Sequence, residues 1–344
     1  MSNSLVNMFK IDELRKKISW TVLFLVVFRI GAFIPIPGID PEVLKLYFLS
    51  QSNSATIGLT EYLNFFAGGA FSNFSVFMLG IMPYISTQII IQLLMLVVPS
   101  LKKLAEEASG RKKVQQYTRY GTIVVCLIQS YVVTVYANSI PDVMTLSVLP
   151  FTIIAMLSVT TGSMFLVWVG DQITARGIGN GISLLIFAGI VARIPNALIT
   201  LFKSVQSGEL NPIVVIVVFA MFAIVVALVV YEQRGQRKIP VQYAKRVVGR
   251  KMYGSQSSYI PFKINPSGVI PVIFASALLS FPLQIAASLG PEVRWLQAVA
   301  NWLDPQGGPY LIIYTLLIIA FAFFYTQVSL NPIEMARQIR ENGG

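Results

Sequence analysis

Eight apolar runs of about 20 residues dominate this chain, and that length suits a helix crossing a hydrocarbon core about 30 Å thick. They extend approximately over Ile18 to Ile34, Phe74 to Val98, Tyr120 to Ala137, Leu149 to Val169, Ile182 to Leu201, Pro212 to Tyr231, Gly268 to Leu289 and Tyr310 to Val328. Of 344 residues, 55% are hydrophobic and 12% charged, about half the ~25% charge of a soluble domain. A chain with so little polar surface cannot hide its apolar residues from water. The expected fold class is an all-α membrane protein, a polytopic helical bundle of about eight spans.

The net charge of +11 is distributed by side. Lys10, Arg15, Lys16 and Lys17 precede the first run. Lys102, Lys103, Arg111, Lys112, Lys113 and Arg119 fill the second connection, and Arg234, Arg237, Lys238, Lys245, Arg246, Arg250, Lys251 and Lys263 the sixth. The opposite connections hold little more than Lys45, Lys203 and Arg294. The positive-inside rule then sets both termini in the cytoplasm. Residues 1–17 are polar, and the first run is followed by Pro-Ile-Pro-Gly rather than a small-residue cleavage site. No removable signal peptide is expected.

Composition also removes chemistry. With no histidine and a single cysteine, Cys126, the chain lacks the usual metal ligands, the commonest acid–base catalyst and any intrachain disulfide. Cys126 sits in an apolar run without a cationic neighbour and reads as packing. No Walker loop or G-x-S-x-G elbow occurs. The cluster Arg176-Gly-Ile-Gly-Asn-Gly181 joins two apolar helices rather than a strand to a helix, so it reads as a tight cytoplasmic turn with Asn180 and Gly181 opening the next helix. Neither an enzyme nor a cofactor is expected. Arg29 and Arg193 are the only charges inside the runs, each near a helix end where it can snorkel. The absence of a mid-bilayer carboxylate argues against proton coupling.

Two connections stand out. The segment from Leu59 to Ser75 is moderately apolar, broken by Gly68 and Gly69, and too short and polar to span. With Thr60 as a cap it reads as a short re-entrant helix inside the protein, or as a helix lying flat on the outer leaflet. The connection from Glu232 to Pro266 alternates apolar and basic residues, which predicts a projecting two-stranded hairpin around Val248-Gly249. Such a hairpin suits anionic lipid, ribosomal RNA phosphates or an acidic protein face.

Phe28-Arg-Ile-Gly31 with Ile34-Pro-Ile-Pro-Gly38, Gly80-Ile-Met-Pro-Tyr-Ile-Ser86, Gln116-Tyr-Thr-Arg-Tyr-Gly121, Arg176-Gly-Ile-Gly-Asn-Gly-Ile-Ser183 with Ile186-Phe-Ala-Gly-Ile190, Glu232-Gln-Arg-Gly-Gln-Arg237 and Gly268-Val-Ile-Pro-Val-Ile-Phe-Ala-Ser276 follow one another along the chain. Together they resemble the bacterial SecY family, and the resemblance runs from about residue 10 to Gly344. It implies ten helices in two pseudo-symmetric halves around a polypeptide path. In this chain residues 1–203 would form the N-terminal half, and residues 204–344, ending after the eighth helix, part of the C-terminal half. A partner or further segment is expected to cover the helix faces so exposed.

The same resemblance implies the roles. Ile81, Ile85, Ile182, Ile186 and Ile273 would contribute to a constricting apolar ring, with the 81/85 and 182/186 pairs each four apart on one helix face. Residues 60–73 would form a plug, with Phe65, Phe66, Gly68, Gly69, Phe71 and Asn73 as its members. Ser86, Gln92, Gln129 and Ser276 would line a lateral gate and hydrogen-bond across its closed seam. Arg237, Lys238, Lys245, Arg246, Arg250 and Lys251 would dock the SecA motor ATPase or the ribosome, which supplies the energy. Implied partners are SecE, SecG, SecA, the ribosome, preprotein signal sequences and anionic lipid, with no DNA, at the bacterial cytoplasmic membrane. A secondary transporter for a small solute and a non-conducting scaffold or insertase are the competing classes.

Overall fold

The computed structural model describes residues 11–50, 64, 67–138, 140–208, 210–242, 246–248, 251–253, 257–289, 298, 302–303, 307–329 and 332–341. Its regular elements are helices α1 (Asp12–Gly31), α2 (Pro41–Ser50), α3 (Met82–Val97), α4 (Pro99–Glu106), α5 (Ala108–Asn138), α6 (Val148–Arg176), α7 (Gly181–Val191), α8 (Ile194–Gln206) and α9 (Pro212–Arg234), strands β1 (Gln236–Gln242), β2 (Arg246–Val248), β3 (Lys251–Tyr253) and β4 (Ser257–Lys263), and helices α10 (Ile270–Leu289), α11 (Gly308–Ser329) and α12 (Pro332–Glu341). The chain divides into two compact units, Met1–Ala197 with Ser276–Tyr314, and Leu198–Ala275 with Thr315–Gly344.

In the first unit, α6 is the central helix. Ala155, Val159, Leu166, Val169 and Ile173 are all buried along it. Lipid gives apolar side chains little reason to leave it, so packing depends on close backbone approach at small residues. Gly162, Gly170 and Gly181 supply this. A Cβ on Gly162 would collide with the Val76 carbonyl, and one on Gly181 with the Gly170 carbonyl. Helix α1 lays Thr21, Phe24, Phe28 and Gly31, spaced three or four apart, against the unit; Val22, Leu23, Val26 and Ile30 remain exposed. Gly31 is required because a Cβ there would enter the Phe77 ring. Arg119 on α5 pairs with Asp171 on α6 at 2.7 Å.

Local chemistry sets several boundaries. Asn180 caps α7, its side chain accepting from the Ile182 and Ser183 amides at 3.0 and 3.2 Å. The preceding turn is held from both sides, since the Ile178 amide donates to Thr21 Oγ1 and the Gly181 amide to Thr174 Oγ1. The glycine cluster is therefore the expected turn. Asn211 likewise caps α9, which is apolar from Ile213 to Val230 and none of whose residues is buried.

In the second unit, β1 pairs antiparallel with β4 from Gln236↔Lys263 to Gln242↔Ser257. Strands β2 and β3 pair from Arg246↔Tyr253 to Val248↔Lys251. Val248 and Lys251 are the last described pair of that ladder, beside the position where the alternation predicts the hairpin, and residues 249–250 lie outside the described residues.

Among the described residues, five helices are long and apolar enough to cross a membrane by length and composition: Ser109–Asn138, Val148–Arg176, Gly181–Gln206, Pro212–Arg234 and Gly308–Gln327. A sixth results if Met82–Met95 and Pro99–Ala105 form one bent span, turned by 106°. Of the eight apolar runs, those at Ile18–Ile34 and Gly268–Leu289 form helices α1 and α10 without reaching that length and composition among the described residues, and the run from Phe74 is helical only in part. Residues 67–80 form turns rather than helix, so the second run begins at Met82 instead of Phe74. Pro99 follows the end of that run and opens α4, with Val98 extended before it as the residue preceding a proline favours. The fifth run is divided by a turn at Ala192–Arg193 just before Pro195, and the seventh carries Pro282 inside α10.

Candidate functional site: an isoleucine-bearing helix pair and the glycine segment between them

Ile81 stands at the N-terminus of α3 and Ile85 one turn later, both buried, with the Ile85 amide donating to the Ile81 carbonyl at 3.1 Å. On α7, Ile182 and Ile186 are half-buried. Gly189 follows on the same face at i+7, about 4.5 Å beyond Ile186 along the axis. Ile273 lies in the first turn of α10, half-buried, in the second unit.

The segment from Ala67 to Gly80 links these two helices. A Cβ on Gly68 would come 2.8 Å from the Gly189 Cα, and one on Gly80 would lie 3.8 Å from the Ala67 Cα. Ala67 and Gly68 thus touch the residue before Ile81 and the residue one turn past Ile186. Gly68 and Gly69 have φ of +65° and +91°, in the left-handed region that glycine tolerates. The loop is closed on itself. The Gly69 amide donates to the Asn64 carbonyl at 3.0 Å, the Ser72 amide to Asn64 Oδ1 at 3.2 Å, and the Ser72 hydroxyl to the Gly69 carbonyl at 3.0 Å. Phe71 and Phe74 are buried and pack on Tyr136 of α5, Phe74 stacking on its ring at 6.1 Å.

Helix α1 and the chain after it bind the same segment. The Ile36 amide donates to the Phe74 carbonyl and the Val76 amide to the Ile34 carbonyl, flanking a bridge between Pro35 and Ser75. Asn73 Nδ2 donates to the Ala32 carbonyl at 3.4 Å. Arg29 Nη1 donates to the Gly68 carbonyl at 2.8 Å, its guanidinium 4.7 Å from the Phe33 ring. The Arg29 head is therefore spent on this segment rather than on snorkelling. A lone cation in the last turn of α1, followed in sequence by a glycine-rich segment of unusual polarity, was the available signal. Arg193 sits instead in the turn between α7 and α8. Thr60, Phe65 and Phe66 lie outside the described residues, and residues 67–80 are turns.

The remaining expected site residues are dispersed. The Ser86 hydroxyl donates to Met82 in its own helix at 3.0 Å, not across a seam. Gln92 on α3 is half-buried, and Gln129 on α5 is buried with Oε1 lacking a partner. Ser276 on α10 is buried. On the hairpin, Arg237 and Lys238 are neighbours on β1 and so face opposite sides. Lys238 Nζ lies 4.7 Å from the Tyr259 ring across the ladder. Arg246 and Lys251 belong to β2 and β3, whereas Lys245 and Arg250 lie outside the described residues. Among the described residues no group of His, Cys, Asp and Glu could hold a metal ion.

A family model described as SecY matches residues 75–344. A protein translocase subunit SecY of Borreliella burgdorferi is 44% identical over 346 residues, covering 100% of this chain and 78% of the relative. The subunit of that name in Escherichia coli K12 is 44% identical over 339 residues, covering 97% and 76%. Among solved structures, a protein-conducting channel aligns with a TM-score of 0.56 at 21% identity, over 81% of this chain and 60% of that one. Sec61 in the canine ribosome-channel complex aligns with a TM-score of 0.61 at 20% identity, over 94% and 76%. The solved structures share the fold, the curated relatives share the sequence, and the chain belongs to the SecY family of protein translocase subunits.

Proposed function

We propose that this chain forms the channel of a Sec translocase in the bacterial cytoplasmic membrane, with its N-terminus in the cytoplasm. It passes unfolded preproteins across and releases transmembrane segments sideways into lipid. Ile81, Ile85, Ile182, Ile186 and Ile273 form the constriction. An ion entering a narrow apolar collar sheds water without gaining ligands, which makes permeation costly. A ring of side chains can nonetheless part around an extended peptide. The observation that carries the reading is the seat of the Ala67–Gly69 stretch against both Gly80 and Gly189, next to the isoleucines of α3 and α7. A plug is needed where a ring must also seal without substrate.

Ser86, Gln92, Gln129 and Ser276 line the lateral gate. Interhelical hydrogen bonds in membranes contribute only about 0.6 to 2 kcal/mol each, so an apolar signal sequence entering lipid offsets a few of them. The basic hairpin docks the ribosome or the SecA motor, which supplies the energy, and SecE and SecG complete the assembly. Family membership leaves the small-solute transporter without support. Substituting Ile81, Ile85, Ile182 and Ile186 by serine in reconstituted, substrate-free translocase should raise ion conductance; unchanged conductance would sink the reading.

A further inference from the structure

We infer that Arg29 is a positioning residue that latches the Gly68–Asn73 stretch closed, an inference resting on the reading of that stretch as the plug of the pore. An arginine inside an apolar run is costly to leave unpaired. The described residues give Arg29 no carboxylate. Its contacts are the Gly68 carbonyl and the Phe33 ring. Gly68 is also the residue pressed against Gly189 of α7, with a left-handed φ of +65° that turns its carbonyl. One charge-assisted bond therefore holds the stretch at the point where it meets a ring-bearing helix.

A second contact lies five residues on, where Asn73 Nδ2 donates to the Ala32 carbonyl in the residue following α1. The end of α1 thus grips both ends of the stretch. The Arg29 bond is the shorter, at 2.8 Å against 3.4 Å, and the only charged one. Because it engages a backbone carbonyl, it does not depend on which side chains the plug carries. The latch yields to displacement of the stretch by substrate.

The test uses full-length chain assembled with its translocase partners in proteoliposomes. Cys126 is the one cysteine and is fully buried, so in a Ser72→Cys background an aqueous maleimide reads position 72. Arg29→Met should raise both the labelling rate and the idle ion conductance about tenfold or more, the factor a charge-assisted hydrogen bond supplies. Arg29→Lys, which keeps a charged donor, should recover at least part of the closure. Equal rises in the methionine and lysine variants would overturn the latch, as a fault in folding rather than loss of the bond. So would parental labelling and conductance in Arg29→Met while the Ile81→Ser/Ile85→Ser variant leaks, in which case the channel reading stands. If the isoleucine variant does not leak either, the channel reading falls and the latch with it.

Discussion

The backbone of Gly68 approaches that of Gly189 so closely that a Cβ on the first would sit 2.8 Å from the Cα of the second. Two requirements coincide at Gly68, a positive φ and an absent side chain, whereas Gly69 has only the first: its φ is +91° and nothing lies within 4 Å of its would-be Cβ. Gly68→Ala should therefore displace the segment, while Gly69→Ala costs only its backbone strain, about 1 kcal/mol. Idle conductance of the two variants side by side checks this. Equal leaks would mean that contact with α7 does not seat the segment.

Gly162 makes the same argument on the other face of that segment. Its missing side chain admits the Val76 carbonyl against α6. Gly162→Val should force the strand-like Ile34–Val76 region off the helix and destabilise the chain by about 1 to 3 kcal/mol, as overpacking does. The loss should appear as a lower melting temperature of the purified translocase. An unchanged melting temperature would mean that α6 and the segment yield without cost.

What could be read without coordinates was what short-range chemistry decides. The α6–α7 turn was legible because glycine and asparagine announce a cap, and the hairpin because its alternation has period two. The start of α3 was not. Phe74 to Ile81 are as apolar as the helix that follows, yet they are turns because Gly80 and Phe74 take positive φ and the stretch pairs with Pro35 and Ile36. Those partners are about 40 residues away in the chain, beyond any window of periodicity. The break before Pro195 is legible in the proline itself, but hydropathy continues through it. Arg29 looked like a snorkelling cation since its acceptor is a backbone carbonyl, which every residue has. The ring candidates rested on family resemblance, because an isoleucine among membrane isoleucines carries no signal of its own.

Asn180 offers a test of the local kind. Its side chain satisfies two amides at the start of α7, the helix that carries Ile182 and Ile186. Asn180→Ala should cost about 1 kcal/mol through the lost cap, and Asn180→Asp should retain the stability because a carboxylate accepts the same bonds. Thermal unfolding of the pair separates capping from bulk. If alanine and aspartate behave alike, the turn is held by Thr21 and Thr174 alone.

The Arg119–Asp171 pair joins α5 to α6, with side chains 44% and 28% exposed. Partial exposure limits its worth. A double-mutant cycle with Arg119→Gln and Asp171→Asn should give a coupling of about 0.2 to 1 kcal/mol that falls as salt is added. A coupling several times larger, or one indifferent to salt, would show that the pair is sealed from solvent and acts as a buried bridge.

The hairpin can be tested through its charge. Arg237 and Lys238 alternate across β1, so a flat anionic surface could engage only one of them, while a partner that wraps the hairpin engages both. Lys238 is additionally steadied by the Tyr259 ring. If the hairpin docks ribosomal RNA, Arg237→Glu and Arg246→Glu should each weaken ribosome binding. Each should also reduce the slope of log affinity against log salt by about 1, as loss of a phosphate contact does. An acidic protein face such as a motor subunit would lose affinity too, with a shallower change in slope because no condensed counterions are released. Binding of both partners unaffected by the two reversals would remove the hairpin from the docking surface and leave its charge to anionic lipid, a result that vesicles with and without anionic headgroups would then resolve.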